Sequence, residues 1–208
     1  MDFLRDGTGT GPLVLLAHGA GAAMDTVFMT GIARGLAAEG LRVARFEFAY
    51  MAARRTGGPK RPPPKITLLQ DEFRDAVQAL AGEGPLIIGG KSMGGRVASL
   101  IADPLFAEGA IRGVLCLGYP FHPTGKPEKL RTEHLAAMTC PTLICQGTRD
   151  PFGTRDEVDG YALSDRITLH WLQDGDHDFR PRRTVTGQAQ ADLLTEAAGA
   201  VARWAGML

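Results

Sequence analysis

Six short apolar runs, each followed by a segment of helical spacing, restrict this chain to an α/β architecture. Residues 13–17, 43–48, 86–88, 113–117, 142–145 and 167–172 have the length and aliphatic content of strands. Between and after them, residues 25–39, 69–81, 93–102, 127–138, 154–163 and 186–208 carry apolar positions at helical spacing. Such alternation builds right-handed βαβ crossovers and a mostly parallel sheet with helices on both faces. The runs are too apolar to face water, so about six buried strands are expected. With 208 residues, 44% hydrophobic and 22% charged, the chain can close one core, and a single domain over 1–208 is expected.

The charge balance narrows the class of partner. Twenty-three basic and 23 acidic side chains cancel, leaving no global field to favour nucleic acid or an anionic bilayer. A small-molecule ligand is expected, with neither nucleic acid nor membrane as partner. The N-terminus has no basic stretch leading into an apolar one, and no apolar run approaches the length of a membrane span, so a cytoplasmic location is expected. Cys116, Cys140 and Cys145 are an odd set for a disulfide framework, and two lie in apolar runs; reduced core thiols are expected.

In a doubly wound sheet, ligands bind beyond the carboxyl ends of the strands, so the strand-to-helix loops are where chemistry is sought. One such loop reads Gly90-Lys91-Ser92-Met93-Gly94. A serine on a sharp strand-to-helix turn needs small residues two positions to either side, and the turn lifts its hydroxyl clear of the sheet beside the first amides of the helix. With only three serines and 27 glycines in the chain, chance supplies about 0.05 such motifs. Phosphate-cradling readings fail. Pro85 stands six residues before Lys91, where the phosphate loop needs glycine, and Ser92 interrupts GxGxxG. No cofactor is expected.

A serine nucleophile needs a base and an acid that orients it. Asp150 ends the strand 142–145 in a polar turn, and His177 lies in the loop after 167–172, so Ser92, Asp150 and His177 are three strand ends on one edge of the sheet. Among rivals, His170 is read as a neutral core histidine within its strand, and His122 and His134 as surface residues. Asp174, Asp176 and Asp178 flank His177 too closely in sequence to reach its Nδ1. The run Asp-Gly-Asp-His-Asp lacks a second cluster at ligand spacing, so no metal is expected. After the first strand, His18-Gly-Ala-Gly-Ala is a small-residue loop in which an amide near Ala20 can join that of Met93 as an oxyanion hole. His18 is read as structural.

The four segments HGAGA, GKSMGGR, GTRDPFG and GDHDF, in this order and spacing, resemble the α/β-hydrolase superfamily. Together with RFEFAYM and RRTGGPKRPPP they resemble the small cap-less dienelactone hydrolase-like predicted serine hydrolases. The resemblance covers the chain from about Leu13 to the last helix. It implies Ser92 as nucleophile, His177 as general base, Asp150 as orienting acid, and the amides of Ala20 and Met93 as oxyanion donors. Dienelactone hydrolases proper use a cysteine where this chain has Ser92, so their substrate is not carried over. The implied activity is hydrolysis of a carboxylic ester or thioester through an acyl-enzyme. Acyl transfer on the same triad, or a non-catalytic binding or scaffold role for the fold, are the alternatives.

Two features bear on substrate and assembly. Residues 119–141 are too few for a cap domain, so an open site is expected. The Pro- and Gly-rich segment 54–65 is read as a loop without regular structure, and Arg54 and Arg55 there, with Lys91 at the elbow, are candidate substrate-binding residues. Leu193, Leu194, Val201 and Trp204 on the last helix pack on their own sheet or on a second copy, giving a monomer or a homodimer.

Overall fold

A computed structural model describes residues 1–208. Seven strands form one sheet: β1 (Leu4–Asp6), β2 (Leu13–Ala17), β3 (Arg42–Phe46), β4 (Leu86–Lys91), β5 (Gly113–Leu117), β6 (Thr142–Gly147) and β7 (Ile167–Leu172). Their spatial order is β1-β3-β2-β4-β5-β6-β7, with every pair parallel except β1 against β3. The chain winds outward from β2 to β3, then returns across β2 to β4 and proceeds the other way. The winding therefore reverses between β2 and β4, the position at which α/β sheets hold their ligands.

The helices are α1 (Val27–Ala38), α2 (Ala49–Ala52), α3 (Ile66–Ala79), α4 (Met93–Leu100), α5 (Ala102–Ala107), α6 (Glu133–Ala136), α7 (Arg155–Val158), α8 (Arg183–Thr186) and α9 (Gln190–Ala205). Both faces of the sheet are covered, and the alternation of side chains along β2 shows how. Leu13, Leu15 and Ala17 join Phe73 and Val77 of α3 and Val97 and Ala98 of α4 in one core. Val14 and Leu16 join Ile32 and Leu36 of α1 and Leu193 and Val201 of α9 in the other. A strand buried on both faces must be apolar at every position, which is why β2 reads as a continuous run.

Several expectations change. The sheet has a seventh strand, β1, an exposed antiparallel edge whose Arg5 and Asp6 gave no apolar signal. Residues 127–138 and 154–163 hold only the four-residue helices α6 and α7. Backbone partners compete there: the Arg131 N–H donates to Phe121 O at 2.7 Å and draws the chain back to the end of β5. Residues 53–56 form one turn of 3-10 helix, so the segment 54–65 begins with regular structure. Strand β7, at the edge of the sheet, is only partly buried. All three cysteines are free and buried. On α9, Leu193, Leu194, Val201 and Trp204 are covered within the chain itself. No helix is long and apolar enough to cross a membrane.

Candidate active site

Ser92 follows the last residue of β4 directly and precedes α4, with φ 50° and ψ −113°. Side chains rarely adopt such a backbone conformation, and strain of this kind is typical of functional turns. The neighbouring glycines make it possible. A Cβ at Gly90 would collide with the Ala17 carbonyl, and one at Gly94 would lie 2.6 Å from Ala17 O and 2.7 Å from His18 O. The elbow is thus pressed against the end of β2, and the Ser92 N–H is fixed on Leu117 O at 3.0 Å.

The three strand ends meet. The Ser92 hydroxyl lies 2.9 Å from His177 Nε2, and His177 Nδ1 lies 2.7 Å from Asp150 Oδ2. Asp150 has no exposed surface, and its Oδ1 accepts the Phe152 N–H at 2.9 Å. A carboxylate can only accept, so Nδ1 carries the imidazole proton and Nε2 is left to accept from Ser92. The Phe152 ring lies 4.4 Å from that of His177, centroid to centroid, and shields one side of the imidazole. Nothing in the sequence pattern singled out Phe152, although it sits two residues after Asp150 in the same turn.

The loop after β2 is braced from two sides. Nε2 of His18 accepts the Phe48 N–H at 3.2 Å, so its proton is on Nδ1, which donates to Gly19 O at 2.6 Å. Burial lowers the His18 pKa, which keeps the ring neutral and this arrangement intact. Tyr50 donates its hydroxyl to Ala20 O at 2.8 Å. With its carbonyl held, the Ala20 N–H has no backbone acceptor. Met93, as the first residue of α4, has no intrahelical acceptor for its N–H. Tyr50 was not picked out from sequence; only its place after a strand hinted at the site.

Lys91 is buried in the elbow. Its ammonium donates to His177 O at 2.5 Å, stands 3.6 Å from Asp178 and lies 5.1 Å from the Phe28 ring centroid. Burial lowers its pKa to about 8 against the opposing pull of Asp178 and Asp150. Arg55 is bound by both oxygens of Glu47, at 2.7 Å each, and by Asp25 at 2.9 Å. Both cations are already engaged within the protein. Arg54 differs: it forms no ion pair, donates to Arg61 O at 2.7 Å and packs beside Tyr50. It lines a shallow, open depression of about 440 Å3 with Gly21, Ala22 and Met51, next to the Ala20 loop.

The other histidines are not where sequence placed them. His122 is buried, with Nδ1 3.0 Å from Pro123 O and Nε2 3.6 Å from Glu157. His134 is half-buried against Ser99. His170 is partly exposed on the edge strand, 3.3 Å from Glu196. Of the acids around His177, Asp174 binds Arg182 and Arg149, while Asp176 accepts the Asp178 and Arg180 amides at 2.9 Å.

A sheet that reverses its winding at a strained serine elbow, with a histidine and a buried carboxylate brought from the next strand ends, defines an α/β-hydrolase fold without a cap. Residues 10–206 match the alpha/beta hydrolase domain family, and the chain belongs to that family. Among solved structures it is similar to a serine hydrolase without lid from Xanthomonas campestris (20% identity, TM-score 0.70, covering 98% of this chain and 88% of that one). It is also similar to the dienelactone hydrolase of Anabaena variabilis (20% identity, TM-score 0.68, 97% and 90%) and to the esterase domain of a Rhodothermus marinus protein (18% identity, TM-score 0.67, 97% and 90%). At these identities the likeness is one of fold.

Proposed function

We propose that the protein is a serine hydrolase of carboxylic esters, thioesters being within reach of the same groups, acting through Ser92, His177 and Asp150. The observation that carries this reading is the unbroken line of two hydrogen bonds, 2.9 Å and 2.7 Å, from the Ser92 hydroxyl through His177 to a fully buried carboxylate. His177 takes the serine proton as Oγ attacks the ester carbon, and Asp150 stabilises the imidazolium that forms. The amides of Ala20 and Met93, neither bound to a backbone acceptor, receive the developing oxyanion. His177 then protonates the leaving alcohol, and water, activated by the same imidazole, releases the acid.

The substrate is read as a small molecule. No inserted domain covers the site, and Arg54, with Gly21, Ala22 and Met51, offers a cavity on the oxyanion side for one end of the ester. Arg55 and Lys91 contribute through structure instead, since each already has internal partners.

The test is intact mass after treatment with a fluorophosphonate, for wild type and Ser92→Ala. A single adduct on wild type that vanishes in the variant is expected. Folded wild type that forms no adduct overturns the reading and brings the scaffold alternative forward.

A further inference from the structure

Two arginines on the outer side of the elbow helix have no partner. Arg96 on α4 and Arg131 before α6 line a cavity of about 380 Å3 with Leu100, Leu130, Glu133 and His134. Neither guanidinium makes an ion pair, although other half-buried or buried arginines in the chain are engaged: Arg42 by Gly11 O and Glu83 O, Arg45 by Asp6 and Met24 O. The Nε of Arg96 is buried without any acceptor. Glu133 is exposed and pairs with neither.

The charges oppose one another. Burial lowers the Arg131 pKa and the nearby Arg96 charge lowers it further. Burial and the same Arg96 charge take the His134 pKa down to about 4, against the weaker pull of Asp103. Ser99 uses its one proton on Arg96 O at 2.9 Å, so its oxygen accepts from Nε2 of His134 at 2.8 Å, and Nδ1 of the neutral ring is bare. Two unpaired guanidinium groups and an unsatisfied buried donor line this cavity, and its one acid, Glu133, pairs with neither arginine, so the lining favours an anion. Guanidinium forks fit phosphate and carboxylate oxygens two at a time.

We propose that Arg96 and Arg131, with His134 at the edge, form a binding site for a small phosphate- or carboxylate-bearing molecule. The site is coupled to the elbow by one helical turn, since the Arg96 N–H donates to Ser92 O at 3.0 Å, and to the end of β5, since Tyr119 donates its hydroxyl to Arg131 O at 2.9 Å.

The test titrates inorganic phosphate and, separately, acetate into full-length wild type, Arg96→Gln and Arg131→Gln, at an ionic strength held constant with chloride. Calorimetry is expected to show binding of at least one of the two anions to wild type and an affinity at least tenfold weaker in each variant. By NMR the His134 pKa is expected to rise when wild type is saturated, because a bound anion favours imidazolium. Without added anion, both variants are expected to melt no lower than wild type, since each removes one of two like charges that line the same cavity. Wild type that does not distinguish either anion from chloride, or folded variants that bind as tightly as wild type, would overturn the proposal. If a variant fails to fold, the wild-type His134 titration decides. Competition with an ester substrate would make the anion part of the substrate; altered turnover at unchanged KM would make it a separate effector. The binding measurements do not depend on catalysis, so they stand whether or not the serine hydrolase reading does.

Discussion

Asp150 and His177 are joined by a 2.7 Å hydrogen bond whose carboxylate end has no exposure to water. An amide in place of that carboxylate keeps the shape and the Phe152 contact, yet it can offer Nδ1 a donor and so turn the imidazole into the wrong tautomer. Asp150→Asn is therefore expected to lower kcat/KM roughly a thousandfold to ten-thousandfold, with a melting temperature close to wild type. Steady-state kinetics on a short-chain ester, beside a thermal melt, reads both. Near-wild-type activity would remove Asp150 from the mechanism.

Ser92 stores strain in its positive φ. Ser92→Ala keeps that strain, whereas Ser92→Gly relieves it at some cost in unfolded-state entropy. The glycine variant is expected to be more stable than the alanine variant by about 1 kcal/mol, seen as a melting temperature higher by about 3 °C. Equal melting temperatures would mean that the turn is relaxed in solution.

The sheet and the meeting of Ser92, Asp150 and His177 were legible in the sequence because each rests on a local rule. Buried parallel strands such as residues 13–17 must be apolar throughout, and a serine at this turn must have Gly90 and Gly94 beside it. Places at the ends of two later strands then pointed to Asp150 and His177. What escaped depends on contacts between distant segments. The β1 edge has two charged residues in three and takes its conformation from β3. The expected helix 127–138 is overruled by the bond from Arg131 to Phe121. His122 is buried because of what packs over it, and Tyr50 reaches Ala20 across 30 positions of sequence. Neither has a spacing that reveals it.

Tyr50 holds the loop after β2 through a single bond to Ala20 O. Tyr50→Phe removes that bond alone, at a half-exposed position. Turnover is expected to fall about fivefold, the equivalent of roughly 1 kcal/mol, as the Ala20 amide loses its orientation. KM is expected to change little. A loss confined to KM would assign Tyr50 to substrate binding.

Lys91 gives the fold a dependence on pH that its single variant can isolate. The ammonium is buried, and its pKa falls from 10.5 to about 8, with burial outweighing attraction to Asp178 and Asp150. Between these two values the unfolded chain binds more protons than the folded one at this site, so its contribution to stability rises with pH. The cost of the buried charge, present in full below pH 8, is relieved as pH approaches 10.5; the shift corresponds to roughly 3 kcal/mol. Lys91→Met removes this cost but leaves His177 O without its donor, a penalty of about 1–3 kcal/mol. At pH 7 the two effects nearly cancel, and the variant and wild type are expected to unfold at similar urea concentrations. At pH 10 the wild type is relieved and the variant is not, so the variant is expected to be less stable by about 2 kcal/mol. The same variant loses the tether on the His177 loop, and kcat/KM at pH 7 is expected to fall about tenfold with stability unchanged. Parallel urea profiles at the two pH values would show that Lys91 is hydrated in solution, while full activity would show that His177 is held by Asp150 alone.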